Sequence, residues 1–393
     1  MNPLHIGLVM QGSQGWMGGI EYIRNIVLAL AHLPEKVRTS FTLSLVCSQA
    51  LNADLYRQIV PHLSQVYYEE SVWGEATYIT RLRWRFRDAV LHKDNYPLDR
   101  FLGKEHFDYV YPYFSPGSKT FRSAAWLYDF QHKYFPDYFP TKEIGDRDRY
   151  FDLMARHAQT VVLSSKTARI DFEKFFPEAT AKARILSFRA FPDTSWYGED
   201  PGKVQHQYAL PDRFFLVSNQ FWRHKNHLVI FEALKRLSGK SIHPVVVCTG
   251  HFYDSRQPEY SDLILQSLHK FDLFRQVHLL GMIPREDQIQ LLRRSLAVIQ
   301  PSLFEGWSTV VEEARCLSKP VILSDIPVHR EQNPPKSVFF DPQSSETLAD
   351  LLEQSWRKLS PGPFSEEEAR ARAAALGDVQ DFGYNFLKLA RGE

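Results

Sequence analysis

Short apolar runs recur along this chain, with longer amphipathic stretches between them. Residues 6–10, 42–47, 109–112, 160–163, 214–218, 244–248, 277–280, 296–300 and 320–323 read as short buried strands. Residues 19–32, a segment ending at His157, and 228–237, 260–271, 286–294 and 308–317 read as helices. Strand and helix in turn favour βα units and parallel sheets over sandwiches or bundles.

At 393 residues the chain is longer than the roughly 250 to 300 residues at which single cores stop growing, so two α/β domains are expected. Turn formers crowd 191–198, Pro201-Gly202 and Pro211-Asp212, just before the strand at Phe214. The expected division is 1–195 for an N-terminal domain and 196–375 for a C-terminal one. A closing helix, 376–393, is expected to pack back on the first.

With 47 Lys and Arg against 46 Asp and Glu, the formal charge of +1 gives no basic field for nucleic acid. Cys47, Cys248 and Cys316 lie far apart, with no Cys-x-x-Cys pair and no zinc-spaced histidines, which fits a reducing cytoplasm and no metal site. The first residues show no cationic leader, and no run of about 18 apolar residues predicts a membrane span. Peripheral attachment stays open.

The strongest chemical signal is Phe304-Glu305-Gly306-Trp307-Ser308-Thr309-Val310-Val311-Glu312-Glu313-Ala314, which follows the strand ending at Gln300. A strand, a glycine turn and a helix opening at Ser308 make an anion site, because first-turn N–H groups are unpaired and the helix dipole is positive there. A diphosphate suits it. Glu305 precedes the helix and Glu313 lies about two turns in, so the two carboxylates can meet different diols. The plainer alternative is a pair of helix-flanking and solvated acids.

This stretch resembles the Glu-x7-Glu region of the retaining GT-B glycosyltransferases of family GT4, the glycosyl transferases group 1. The resemblance implies two Rossmann-like doubly wound domains facing a central cleft, with the acceptor on the N-terminal side and a nucleotide-sugar on the C-terminal side. It gives Glu305 the donor sugar, Glu313 the ribose, and the backbone of Gly306, Trp307, Ser308 and Thr309 the phosphates. No cofactor is implied beyond a UDP- or GDP-linked sugar.

Ser218 to His227 leaves a strand and opens a helix, and carries Arg223 and Lys225. Two cations beside a helix N-terminus can neutralise a departing diphosphate, where the bland alternative is a solvated basic turn. The family has an arginine and a lysine six residues apart. Lys225 matches the lysine, but the arginine position is Asn219, which is kept as a donor-binding candidate while Arg223 is taken as the substitute cation.

After the first strand, Gly18 and Gly19 open a helix, and the resemblance makes them face the donor phosphates; a structural turn is the alternative. Asp129-Phe130-Gln131-His132 resembles an Asp-x-Gln-His element in part of the family, which puts His132 beside the reacting sugar. A lone histidine is otherwise more often structural. Met282 and Ile283 fall where related enzymes contact the base. Asp146-Arg147-Asp148 looks like an exposed helix start and is not read as a metal site.

No covalent nucleophile stands out, so the resemblance implies retention by front-face attack, with the acceptor proton passing to the donor phosphate. The acceptor is expected to be a glycan or a lipid-linked glycan of surface polysaccharide. The segment 78–91, with arginines at 81, 83, 85 and 87, patterns as an amphipathic helix suited to an anionic membrane or to a core with a solvated basic face. A non-catalytic sugar- or nucleotide-binding protein and another GT-B enzyme such as an epimerase are the competing classes.

Overall fold

The computed structural model describes residues 3–12, 16–48, 57–68, 96–114 and 120–393. These divide into two compact units, within 1–129, 145–191 and 377–393 for the first and within 130–144 and 192–376 for the second. The second therefore holds residues 130–144, which include the first turn of the helix Thr141–His157, and resumes at Pro192 in the turn-rich stretch.

In the first unit, β1 (Leu4–Val9), β2 (Phe41–Cys47), β3 (Gln65–Tyr68), β4 (Tyr109–Tyr111) and β5 (Arg122–Ser123) form a parallel sheet in the order β3-β2-β1-β4-β5. β6 (Ala125–Leu127), β7 (Val161–Leu163) and β8 (Ala183–Ile185) form a second parallel sheet in chain order. The helix Met17–Ala31 follows β1 and is buried along nearly its whole length. Its polar side chains are accordingly paired: Arg24 holds Glu21 at 2.8 Å, and Asn25 accepts the backbone N–H of Phe191 at 2.7 Å. Phe386, from the long C-terminal helix Ser365–Arg391, sets its ring edge-on to Tyr109 and Tyr111.

The second unit holds β9 (Phe215–Ser218), β10 (Val246–Thr249), β11 (Val277–Gly281), β12 (Val298–Gln300), β13 (Val321–Ser324) and β14 (Ser337–Phe340). All pair in parallel, in the order β11-β10-β9-β12-β13-β14. Phe215, Leu216, Val217, Val246, Val298, Ile299 and Leu323 are fully buried, the pattern of strands covered on both faces. The chain builds outward from β9 to β11 and then returns to β12 on the other side of β9. In an open α/β sheet, ligands bind at such a reversal, beyond the carboxyl ends of the strands.

All nine strands read from the sequence are present, with ends shifted by one or two residues. Among the described residues no helix is long and apolar enough to cross a membrane. The arginine-rich segment 78–91 lies outside the described residues.

Candidate active site

The chain leaves β9 at Ser218, makes a tight turn over Arg223–Lys225 and enters the helix His227–Ser238. Asn226, between turn and helix, takes the left-handed conformation at φ 56°, which asparagine tolerates better than most residues. Its side-chain amide donates to the carbonyls of Pro301 at 3.1 Å and Pro342 at 3.0 Å. The N–H of Leu303 donates to the carbonyl of His224 at 2.8 Å. The loops after β9 and β12, the two strands at the reversal, are thereby bonded into one surface.

On that surface Lys225 meets Glu305. Nζ lies 2.6 Å from Oε1, and the same oxygen accepts Ser302 Oγ at 2.6 Å and Gln300 Nε2 at 2.9 Å. Oε2 accepts no hydrogen bond among the described residues. Burial alone would raise the carboxyl's pKa, but the charge of Lys225, with smaller help from His329 and Ser302, holds it below the usual range. His329, fully buried, shares its Nδ1 between the hydroxyl and the carbonyl of Ser324. Its own pKa is pushed down to about 4 by burial, against the opposing pull of Glu305.

Eight residues further on, Glu313 is buried in the helix Thr309–Cys316 and pairs with Arg285 at 2.7 Å, with Gln288 at 3.5 Å. Glu312 points elsewhere, since consecutive helical residues diverge by about 100°. It accepts Gln332 Nε2 at 3.0 Å and lies 3.4 Å from Arg315. Gln332 also accepts the N–H of Ser308 at 3.1 Å and donates to its carbonyl at 3.0 Å. One backbone amide of the turn expected to hold phosphate is therefore engaged within the protein.

A cation and a carboxylate at the reversal of a doubly wound sheet, with a second carboxylate in the following helix, coincide with a known sequence family. Residues 202–360 match the family model of glycosyl transferases group 1. That segment contains β9 to β14 with Lys225, Glu305 and Glu313. A curated relative, the O-antigen chain mannosyltransferase RfbU of Salmonella typhimurium, is 25% identical over 141 residues, which are 36% of this chain and 38% of that protein. Among solved structures, a glycosyltransferase from Rickettsia africae superposes with a TM-score of 0.66 at 15% identity, covering 100% of this chain and 99% of the other. HepE of Anabaena, solved with UDP and glucose, gives 0.66 at 16% identity, covering 99% and 100%. The fold is the α/β, GT-B fold of these glycosyltransferases.

Within the group 1 segment the expected residues do not all converge. Arg223 is exposed; its guanidinium lies 4.9 Å above the ring of Tyr138 and donates to Gln257 at 3.3 Å, while Lys225 turns to Glu305. Asn219 is buried and donates to Gln300 at 2.9 Å. Gly306, Trp307 and Thr309 are half-buried around the helix start. Met282 is exposed and Ile283 half-buried, just past the end of β11.

Ahead of that segment but within the same unit, His132 is buried in the short helix Gln131–Tyr134, edge-on to Phe139. The neighbouring Tyr134 and Phe135 pack on Phe304, the residue before Glu305. Gly18 and Gly19 belong to the first unit. A side chain on Gly19 would come within 2.8 Å of the backbone of Gly12, whereas among the described residues one on Gly18 would meet only the Trp16 indole, at 3.3 Å.

Gln300, Ser302, Arg285, His329 and Gln332 complete the site and are not singled out by the sequence motifs. The available signal was a polar Gln300 ending an otherwise apolar strand, and Arg285 directly after the Met282-Ile283 pair and its proline.

Proposed function

We propose that this chain is a metal-independent, retaining glycosyltransferase that moves a hexose-type sugar from a UDP- or GDP-linked donor to a glycan or lipid-linked acceptor in surface polysaccharide synthesis. The observation that supports it most is the buried Lys225–Glu305 pair at the sheet reversal, inside the segment that matches group 1. The mannosyl activity named for RfbU supports a hexose, and the UDP and glucose named for HepE support a nucleotide-sugar.

In this reading Glu313 accepts the ribose hydroxyls and Glu305 Oε2 accepts hydroxyls of the donor sugar. The diphosphate sits at the positive end of the helix Thr309–Cys316, with Lys225 beside it and Arg223 reaching in from Tyr138. The anomeric carbon–oxygen bond breaks and its electron pair leaves with the diphosphate, whose growing charge these donors stabilise. The acceptor oxygen bonds to the same face, and its proton passes to a phosphate oxygen. His132 lies beside the sugar, and Met282 and Ile283 present backbone groups to the base.

Turnover of UDP- and GDP-hexoses, with and without EDTA, tests this. The expected result is release of one nucleoside diphosphate, unaffected by EDTA, with the donor's anomeric configuration kept in the product. Inversion would overturn the mechanism. Binding of a diphosphate without release from any nucleotide-sugar would leave a non-catalytic binding protein.

A further inference from the structure

We propose that Asn219 and Gln300 are positioning residues that fix the direction of the hydrogen bonds at Glu305 and so aim its free oxygen at the substrate. This rests on reading Glu305 as the carboxylate that meets the donor sugar. Gln300 is fully buried and Asn219 is 8% exposed, so their amides have no water to fall back on. An amide has an accepting end and a donating end, and only its NH2 end can bond a carboxylate. Gln300 Nε2 lies 2.9 Å from Glu305 Oε1, which turns its carbonyl oxygen toward Asn219, whose Nδ2 donates to it at 2.9 Å.

At the far end the backbone of Asn219 is held in place. The backbone N–H of Asn219 donates to Thr249 at 3.1 Å, and its carbonyl is so close to Gly250 that a side chain there would sit 2.1 Å from it. At the near end Gln300, Ser302 and Lys225 all donate to Oε1, so the carboxylate cannot turn without losing three bonds, and Oε2 keeps one direction. The charged and titratable groups facing Glu305 are Lys225 from the loop after β9 and His329 from the helix Pro327–Gln332.

Asn219→Asp tests the direction of the relay, because it keeps the shape and replaces the donor by an acceptor. When ionised, the introduced carboxylate captures the Gln300 NH2 and turns a carbonyl oxygen onto Glu305; when protonated, it donates again and restores the native order. The expected result is a kcat about tenfold or more below wild type at pH 8, with the deficit shrinking toward pH 6, since a buried carboxyl beside another carboxylate titrates high. Asn219→Ala should lose about threefold at every pH, and nucleoside diphosphate affinity should change by less than about twofold in both variants. An Asn219→Asp variant that matches wild type, or follows Asn219→Ala at every pH, overturns the proposal. If wild type transfers no sugar, the functional reading has failed, and the carboxyl 13C titration of Glu305, assigned through Glu305→Gln, decides the relay. It should move up in pH in Asn219→Asp; an unmoved titration overturns it.

Discussion

Lys225 and Glu305 stand 80 residues apart in the sequence, and their charged atoms lie 2.6 Å apart. Their side chains are 13% and 8% exposed, so neither charge is solvated well enough to stand alone. Removing one partner of a buried pair typically costs about 3 to 5 kcal/mol, because the other is left uncompensated. Lys225→Met should fall in that range in urea unfolding at pH 7, and adding Glu305→Gln should recover part of the loss. The depressed pKa of Glu305 sets the pH window: its stabilisation is present above the ordinary value of 4.5 and is lost as pH falls through the lower folded value. The gap between wild type and Glu305→Gln should therefore close in strong acid.

His227 lies flat on Phe221 with ring centroids 4.2 Å apart, and neither nitrogen has a hydrogen-bond partner among the described residues. Burial, with some repulsion from Lys225, pushes its pKa down to about 3 from an ordinary 6.5. The unfolded chain therefore takes up this proton first, and stability falls as pH drops below 6.5. Near pH 4.5 the loss reaches about 2 to 3 kcal/mol by linkage. His227→Phe keeps the stack, so its unfolding free energy should match wild type at pH 8 and exceed it at pH 5. Equal acid sensitivity in both proteins would show that His227 does not set the acid response.

Gly12 after β1 and Gly18 and Gly19 at the start of the helix Met17–Ala31 differ in what a side chain would meet. Gly12 has φ 89°, and a side chain there would sit 2.5 Å from the carbonyl of Trp16; one on Gly19 would press on the Gly12 backbone. Gly12→Ala and Gly19→Ala should each destabilise by more than about 1 kcal/mol in denaturant melts. Gly18→Ala should sit within about 0.5 kcal/mol of wild type, since among the described residues only the Trp16 side chain has to give way.

Arg285 and Glu313 act as a unit if Glu313 binds ribose, because the guanidinium 2.7 Å away holds the carboxylate in place. Arg285→Met should weaken nucleoside diphosphate binding by about tenfold, and Arg285→Met with Glu313→Ala should be little worse than Glu313→Ala alone. Calorimetric titration of the four proteins checks this; fully additive losses would separate the two residues.

The parallel βα pattern was legible because buried strands such as 214–218 are continuous apolar runs bounded by turn formers. β5, with two residues, and β14, an edge strand with Ser337 and an exposed Val338, give no such run. Lys225, Glu305 and Glu313 were legible because each sits in a local motif at a strand end. Gln300's bond to Asn219 and Arg285's to Glu313 were not, since the order β11-β10-β9-β12 brings these residues together and no local pattern encodes that order. The charge and spacing of Arg223 were legible, but its contact with the ring of Tyr138 was not, since an aromatic partner distant in sequence leaves no mark on the motif.

The most direct test is the thermal stability of wild type and Glu313→Ala with UDP, GDP, ADP and dTDP, each with and without EDTA, because a ligand of the folded state raises the melting temperature. One diphosphate should stabilise wild type, EDTA should change nothing, and Glu313→Ala should abolish the effect. No response to any of the four, or an undiminished response in Glu313→Ala, would contradict the proposed function.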